Sequence, residues 1–180
     1  MKTLVVDLEE MVKIGKKAPT NGHRLYVWLS QQFNGSIIVD AGTSNGKSAL
    51  AFSANPTNLV LTYDTKLVDR YEATLTRLSS IGNVLLKRLS CNLISPEWFS
   101  HVDIILLDID PHDSIKEAEF LKRIEPHFKG ILLMDDVNDS RWPDLSYLFN
   151  SLEREHQLIK VGTCNGVGIV AYGDWTVEIK

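Results

Sequence analysis

Cysteine is scarce in this 180-residue sequence: Cys91 and Cys164 are too few and too widely spaced for a disulfide framework or a zinc cluster. Long apolar runs are missing as well. No stretch approaches the roughly 18 residues of a membrane span, and the opening MKTLVVDLEEM breaks its apolar run with acids too early for a signal peptide. Nor is there a surplus of positive charge. With 19 Lys+Arg against 23 Asp+Glu the net charge is -4, so no general field draws in nucleic acid or an anionic membrane. Linkers rich in proline, glycine or serine, internal repeats and low-complexity segments are also lacking, which leaves no domain boundary to place. Together these absences predict one cytoplasmic domain over 1–180, too short for a cofactor domain plus a separate substrate domain.

What the chain does have is alternation. Between residues 36 and 136 short β-rich runs, SIIVD (36–40), NLVLTYD (58–64), NVLLK (83–87), VDIILLD (102–108) and GILLMD (130–135), are separated by helical patterns. Those patterns cover 47–53, 67–80 and 114–127, with GHRLYVWLSQQF before the first run and WPDLSYLFNSLEREH after the fifth. Several runs are apolar on nearly every residue, as in strands covered on both faces, so the class is α/β with a mostly parallel sheet. Two more strands, QLIKVG and GVGIVAYG, are joined by TCNG. Its Asn-Gly signals a hairpin, so the last strand should run antiparallel and close one edge. Seven strands with helices on both faces result, with 1–34 as an N-terminal helical segment and 35–172 as the core.

In an open α/β sheet, ligands bind beyond the carboxyl ends of the strands, and there the acids gather. Asp40, Asp64 and Asp108 end the first, second and fourth runs; Asp110 and His112 follow in the next loop; Asp135 and Asp136 end the fifth. Taken singly, each of these acids also suits a cap or turn.

The turn after the first strand reads DAGTSNGKS. Counted from Ala41 it has the spacing of a phosphate loop, but alanine stands where the first glycine belongs, and Asp40 repels a triphosphate. As DxGxxxG it suits a nucleoside carrying positive charge: the glycines let backbone pass under the ligand, and the carboxylate favours an ammonium or sulfonium. Asp64 then stands where an acid accepts both hydroxyls of a ribose.

These residues resemble the class I methyltransferases that use S-adenosylmethionine. The resemblance runs from about residue 35 to residue 172, on VDAGTSNG, LTYD and the final reversed strand. It implies a Rossmann-like fold in which Asp40 and the backbone of Ala41, Gly42, Thr43, Ser44, Asn45 and Gly46 face the methionine portion. It also implies that Asp64 holds the ribose and that Ser90 or Asn92 lies near adenine, with Asp108 bordering the cofactor. A narrower resemblance, DIILLDIDPHD followed by GILLMDDVND, is to the metal-dependent catechol-type O-methyltransferases and related enzymes acting on sugar hydroxyls. It implies a divalent cation, magnesium by preference, on Asp108, Asp135 and Asp136. Where the catechol pattern often has a lysine, three residues beyond Asp108, this chain has Pro111. His112 is then the local base, with Asp110 binding metal, orienting His112 or taking the proton; the bland alternative makes DPHD a turn whose Asp113 or Ser114 caps the next helix.

The expected function is divalent-metal-assisted methyl transfer from S-adenosylmethionine to a small-molecule hydroxyl of sugar or phenol type, with a homo-oligomer an option for completing the acceptor site. Alternatives are a metal-independent methyltransferase on another acceptor, a phosphate-loop ATPase or kinase, and a non-catalytic module that binds S-adenosylmethionine. Trp142 beside Pro143 reads as a helix start, His23, Tyr26 and Trp28 as a packing face, and Lys16 and Lys17 as an entry loop.

Overall fold

The computed structural model describes residues 1–14, 18–65 and 71–180, except for the side chain of Tyr71. In chain order its elements are β1 (Lys2–Val6), α1 (Leu8–Lys13), α2 (Arg24–Gln32), β2 (Ile37–Ala41), α3 (Lys47–Phe52), β3 (Leu59–Tyr63), α4 (Tyr71–Ser79) and β4 (Val84–Lys87). There follow β5 (Ile104–Leu107), α5 (Ile115–Ile124), β6 (Ile131–Met134), α6 (Pro143–Asn150), β7 (His156–Ile159), β8 (Val167–Ala171) and β9 (Trp175–Ile179). The expected entry loop at Lys16 and Lys17, and the expected start of a helix at Leu67, lie outside the described residues.

Seven strands form one sheet in the order β4-β3-β2-β5-β6-β8-β7. All its pairings are parallel except those of β8, which runs against both β6 and β7. The apolar runs explain the layering. In β5, Ile104 and Leu106 pack toward the face carrying α2 and α3, while Ile105 and Leu107 pack toward the face carrying α5 and α6, and all four are buried. β6 divides in the same way. Burial on both faces is what an uninterrupted aliphatic run encodes.

Two features differ from the sequence reading. The reversed strand is not at the edge: β8 inserts between β6 and β7, so the edge strand β7 runs with the parallel set. Composition supplies the reason, since all five β8 residues are buried whereas β7 buries only Ile159. The more apolar strand takes the interior. The N-terminal segment also opens with a strand rather than a helix, and β1 pairs in parallel with β9 as a separate two-stranded sheet. Leu4, Val6 and Val177 tie that sheet into the core on the α2 face. Among the described residues no helix is long and apolar enough to cross a membrane.

Strand order reverses between β2 and β5, where consecutive crossovers depart to opposite sides. A crevice therefore opens beyond the carboxyl ends of these two strands.

Candidate cofactor and acceptor site

The turn after β2 is tied down from inside. The amides of Gly42 and Thr43 both donate to the Tyr63 carbonyl, at 2.9 and 3.1 Å, and the Gly46 amide donates to the Thr43 carbonyl at 2.7 Å. Ser44 N–H donates to Asp64 Oδ2 at 2.9 Å, and Lys47 N–H to Asn45 Oδ1 at 3.3 Å. A phosphate cradle needs several backbone N–H groups converging on the ligand. Here five of them are engaged within the protein, so the turn is a backbone shelf rather than an anion nest. Lys47 and Ser48 begin α3, as the helical reading of GKS requires.

Asp40 lies under this shelf, not in the open crevice. It is fully buried, and its Oδ2 accepts hydrogen bonds from Thr62 Oγ1 at 2.7 Å and Ser48 Oγ at 3.1 Å. Thr62 is its register partner on β3 and also meets Thr43 Oγ1 at 2.6 Å, which links the carboxyl to the turn. Its Oδ1 is buried with no hydrogen-bond partner. The expected exposure of Asp40 to a methionine portion is thus replaced by an inward carboxyl that braces the loop.

Burial pushes the Asp40 carboxyl up to about 7, against the hydrogen bonds from Thr62 and Ser48 and with the charges of Asp135 and Asp64 adding to the rise. The folded protein then holds a proton that an unfolded chain, with an ordinary value of 3.8, has released. The associated stability is complete below that ordinary value and is lost as pH rises through about 7; at about 1.4 kcal/mol per unit the loss is roughly 4 kcal/mol. Asp40→Asn should therefore flatten the decline in unfolding free energy between about pH 4 and about pH 8 in urea titrations. Parallel pH slopes for the two proteins would contradict this.

A cleft of about 500 Å³ opens at the strand ends, a size suited to a nucleoside. Gly42, Ser44, Asp64, Ser90, Asn92, Asp108, Asp110 and His112 all line it, which brings together residues read separately along the sequence. Ala41 lies beneath, its carbonyl accepting from Asp108 N–H at 2.8 Å. Tyr63, Leu89, Cys91 and Ile109 supply apolar wall between these polar groups. Two of the polar groups are partly engaged. Ser90 Oγ caps its own turn by accepting from Asn92 N–H at 3.2 Å, and Asn92 Oδ1 accepts from Arg123 at 3.3 Å. What Asn92 offers a ligand is therefore its amide N–H groups.

At the other end of the cleft Asp108 and His112 meet two further titratable side chains, Asp136 and Glu117, that stand behind its wall. His112 has a backbone φ of 57°, in the left-handed region, and its Nε2 lies 3.4 Å from Asp108 Oδ1 and 4.0 Å from Asp136 Oδ2. Its Nδ1 lies 3.6 Å from Glu117 Oε1. Glu117 foremost, with the charges of Asp108 and Asp136, raises the His112 pKa above its ordinary value, against burial. Burial, and then the charge of Asp135, holds Asp108 well above the usual carboxylate range, with His112 opposing. Burial and Asp136 push Asp135 up to about 6.

This arrangement does not fit a divalent cation on Asp108, Asp135 and Asp136. Asp135 Oδ1 accepts the Asp136 amide at 2.9 Å, Asp136 Oδ1 accepts Asn165 Nδ2 at 2.9 Å, and the His112 ring faces both Asp108 and Asp136. Among the described residues no three acid, imidazole or thiol side chains come together closely enough to hold a metal ion. The expected cation is not supported by these donors. Burial holds Asp40, Asp108 and Asp135 above the usual carboxylate range, so this end of the sheet carries carboxyls that retain protons rather than three full charges.

In the DPHD turn Asp113 Oδ1 accepts the Ile115 amide at 3.1 Å at the start of α5, and His112 lines the cleft. Trp142 stands at the start of α6, before Pro143, and also packs on His112, ring centroids 5.3 Å apart. Arg141 is held by Asp139 at 2.5 Å. Two participants escaped the sequence reading: Asn165, whose Asn-Gly signal pointed only to a hairpin, and Glu117. Tyr26, read as part of a packing face, is a fully buried phenol pushed well above its usual pKa by burial and then by Asp135.

No family model matches the chain, and no curated protein matches it. Solved structures do. A methyltransferase from Geobacter sulfurreducens superposes with a TM-score of 0.62 at 17% identity, over 92% of this chain and 89% of that one. An O-methyltransferase from Bacillus cereus, in complex with S-adenosylhomocysteine, gives 0.59 at 16%, over 92% and 90%. An rRNA methylase from Streptococcus thermophilus gives 0.54 at 17%, over 82% and 94%. The chain has the fold of the class I S-adenosylmethionine-dependent methyltransferases.

Proposed function

We propose that this protein transfers a methyl group from S-adenosylmethionine to the hydroxyl of a small molecule. The observation that carries the reading is the cleft at the β2/β5 switch. A shelf of engaged amides forms its floor, Asp64 stands at the end of β3, and a group of buried carboxyls lies at the far end. When bound, the cofactor supplies an electrophilic methyl on a positively charged sulfur. The protein's part is orientation and charge. Asp64 accepts the ribose hydroxyls while holding Ser44 N–H, so ribose and loop are fixed by the same carboxylate. Asn92 donates to adenine, and the apolar walls exclude water from the ring. Burial keeps Asp108 and Asp135 above the usual carboxylate range; a nearby sulfonium favours their ionised form and the neutral thioether product does not, which aids release.

His112 takes the acceptor proton as the oxygen attacks, and the carboxylates around it make it a stronger base than free imidazole. Asp110, exposed at the rim of the cleft, orients the acceptor. No step runs through a divalent cation, because the His112 ring rather than open space faces Asp108 and Asp136.

Thermal shift with S-adenosylhomocysteine, ATP and magnesium, singly and combined, tests the reading. The nucleoside alone should raise the melting temperature, ATP should not, and magnesium should add nothing. Stabilisation by ATP and not by the nucleoside would overturn the proposal. A magnesium increment that vanishes in Asp135→Ala would restore the cation.

A further inference from the structure

Glu117 stands where a charge is costly. On α5 the buried residues are Glu117, Phe120, Leu121 and Ile124, an i, i+3, i+4, i+7 stripe on which one member is a carboxylate, 2% exposed. Neither of its oxygens has a hydrogen-bond partner. His112 faces it, with Nδ1 3.6 Å from Oε1. A buried, unpaired carboxylate is among the most unfavourable groups a fold can carry, so its retention calls for a partner at this imidazole.

The ring of His112 is constrained on every other side. The left-handed backbone turns it inward, Trp142 packs on it, and Nε2 faces Asp108 and Asp136. We propose that Glu117 is a positioning residue: its carboxylate engages Nδ1–H of His112 and fixes the ring so that Nε2, with its lone pair, faces the acceptor hydroxyl between Asp108 and Asp136. Fixing a base through its second nitrogen is the arrangement by which a carboxylate sets the tautomer and direction of a histidine. The proposal deepens the methyltransferase reading and rests on it for the identity of the acceptor.

The tautomer gives a direct test. In the neutral ring of free histidine the proton prefers Nε2, whereas engagement by Glu117 requires it on Nδ1. Two-dimensional 1H–15N spectra of the ring nitrogens, followed upward in pH until the His112 ring is neutral, should show wild-type His112 as the Nδ1–H form, with His112→Gln identifying the signals. In Glu117→Leu, which suits the apolar stripe and should fold, the Nδ1–H pattern is lost and the Nε2–H form takes over. Affinity for S-adenosylhomocysteine by calorimetry should stay within about twofold in that variant, because Glu117 does not touch the cofactor cleft. Wild-type His112 in the Nε2–H form, or an unchanged Nδ1–H form in Glu117→Leu, would overturn the proposal, and the wild-type spectrum decides even if the variant misfolds. If wild type fails to bind S-adenosylhomocysteine, the functional reading falls while the tautomer result stands.

Discussion

Gly42→Ala is expected to lower the melting temperature by roughly 10 °C and to abolish binding of S-adenosylhomocysteine. Gly42 has a φ of 115°, and a Cβ there would lie 1.7 Å from the Asp108 carbonyl oxygen and 2.7 Å from its carbon. Both atoms are backbone, so no rotamer change relieves the contact. Strained φ costs about 1–2 kcal/mol and a forced backbone shift about 1–3 more, together about 2–5 kcal/mol; a chain of this size loses about 2–4 °C per kcal/mol. The damage is also local to function. The clash pries β2 from β5 at the point where Asp108 N–H meets the Ala41 carbonyl, so the floor and far wall of the cleft separate. Differential scanning calorimetry with and without the nucleoside reads both effects, and an alanine variant that melts and binds like wild type would contradict the account.

Asp64→Ala carries the second large effect. Its carboxylate holds Ser44 N–H at 2.9 Å, with the turn curled above it, and it lines the cleft at the end of β3. Hydrogen bonds to a charged group contribute about 1.5–3 kcal/mol each, and each 1.4 kcal/mol is tenfold in affinity. Loss of the ribose contacts and of the loop anchor should weaken S-adenosylhomocysteine on the order of 100-fold by calorimetry. Asp64→Asn keeps one acceptor and should lose less. If both variants bind within about threefold of wild type, Asp64 does not hold the ribose.

How far the sequence reads depends on which physical rule each feature obeys. β2, β3, β5 and β6 are legible because their aliphatic runs are long enough to exclude a half-exposed strand. β1 and β9 are not, since each buries only one or two of five residues and gains its place from the core on the α2 face. Asp64, Ser90, Asn92 and Asp108 reach the cleft as the strand-end rule requires. Asp40 obeys a second rule, the alternation of a strand: it shares the face of Ile38, which packs with the α2 and α3 core, and so it points inward under the turn. Apolar spacing at 3.6 residues per turn likewise places Glu117 inside α5. The convergence of acids at the fourth and fifth strand ends is a weaker signal. Side-chain directions there follow from φ values of 57° at both His112 and Asp136, which composition does not encode. Those torsions bring an imidazole among the carboxylates.

The most direct test of the central claim is a crystal structure with S-adenosylhomocysteine bound. The account predicts ribose hydroxyls on the Asp64 carboxylate, adenine beside Asn92 and the sulfur at the end of the cleft marked by Asp108 and His112. Density for the nucleoside elsewhere, or a ribose turned away from Asp64, would contradict it.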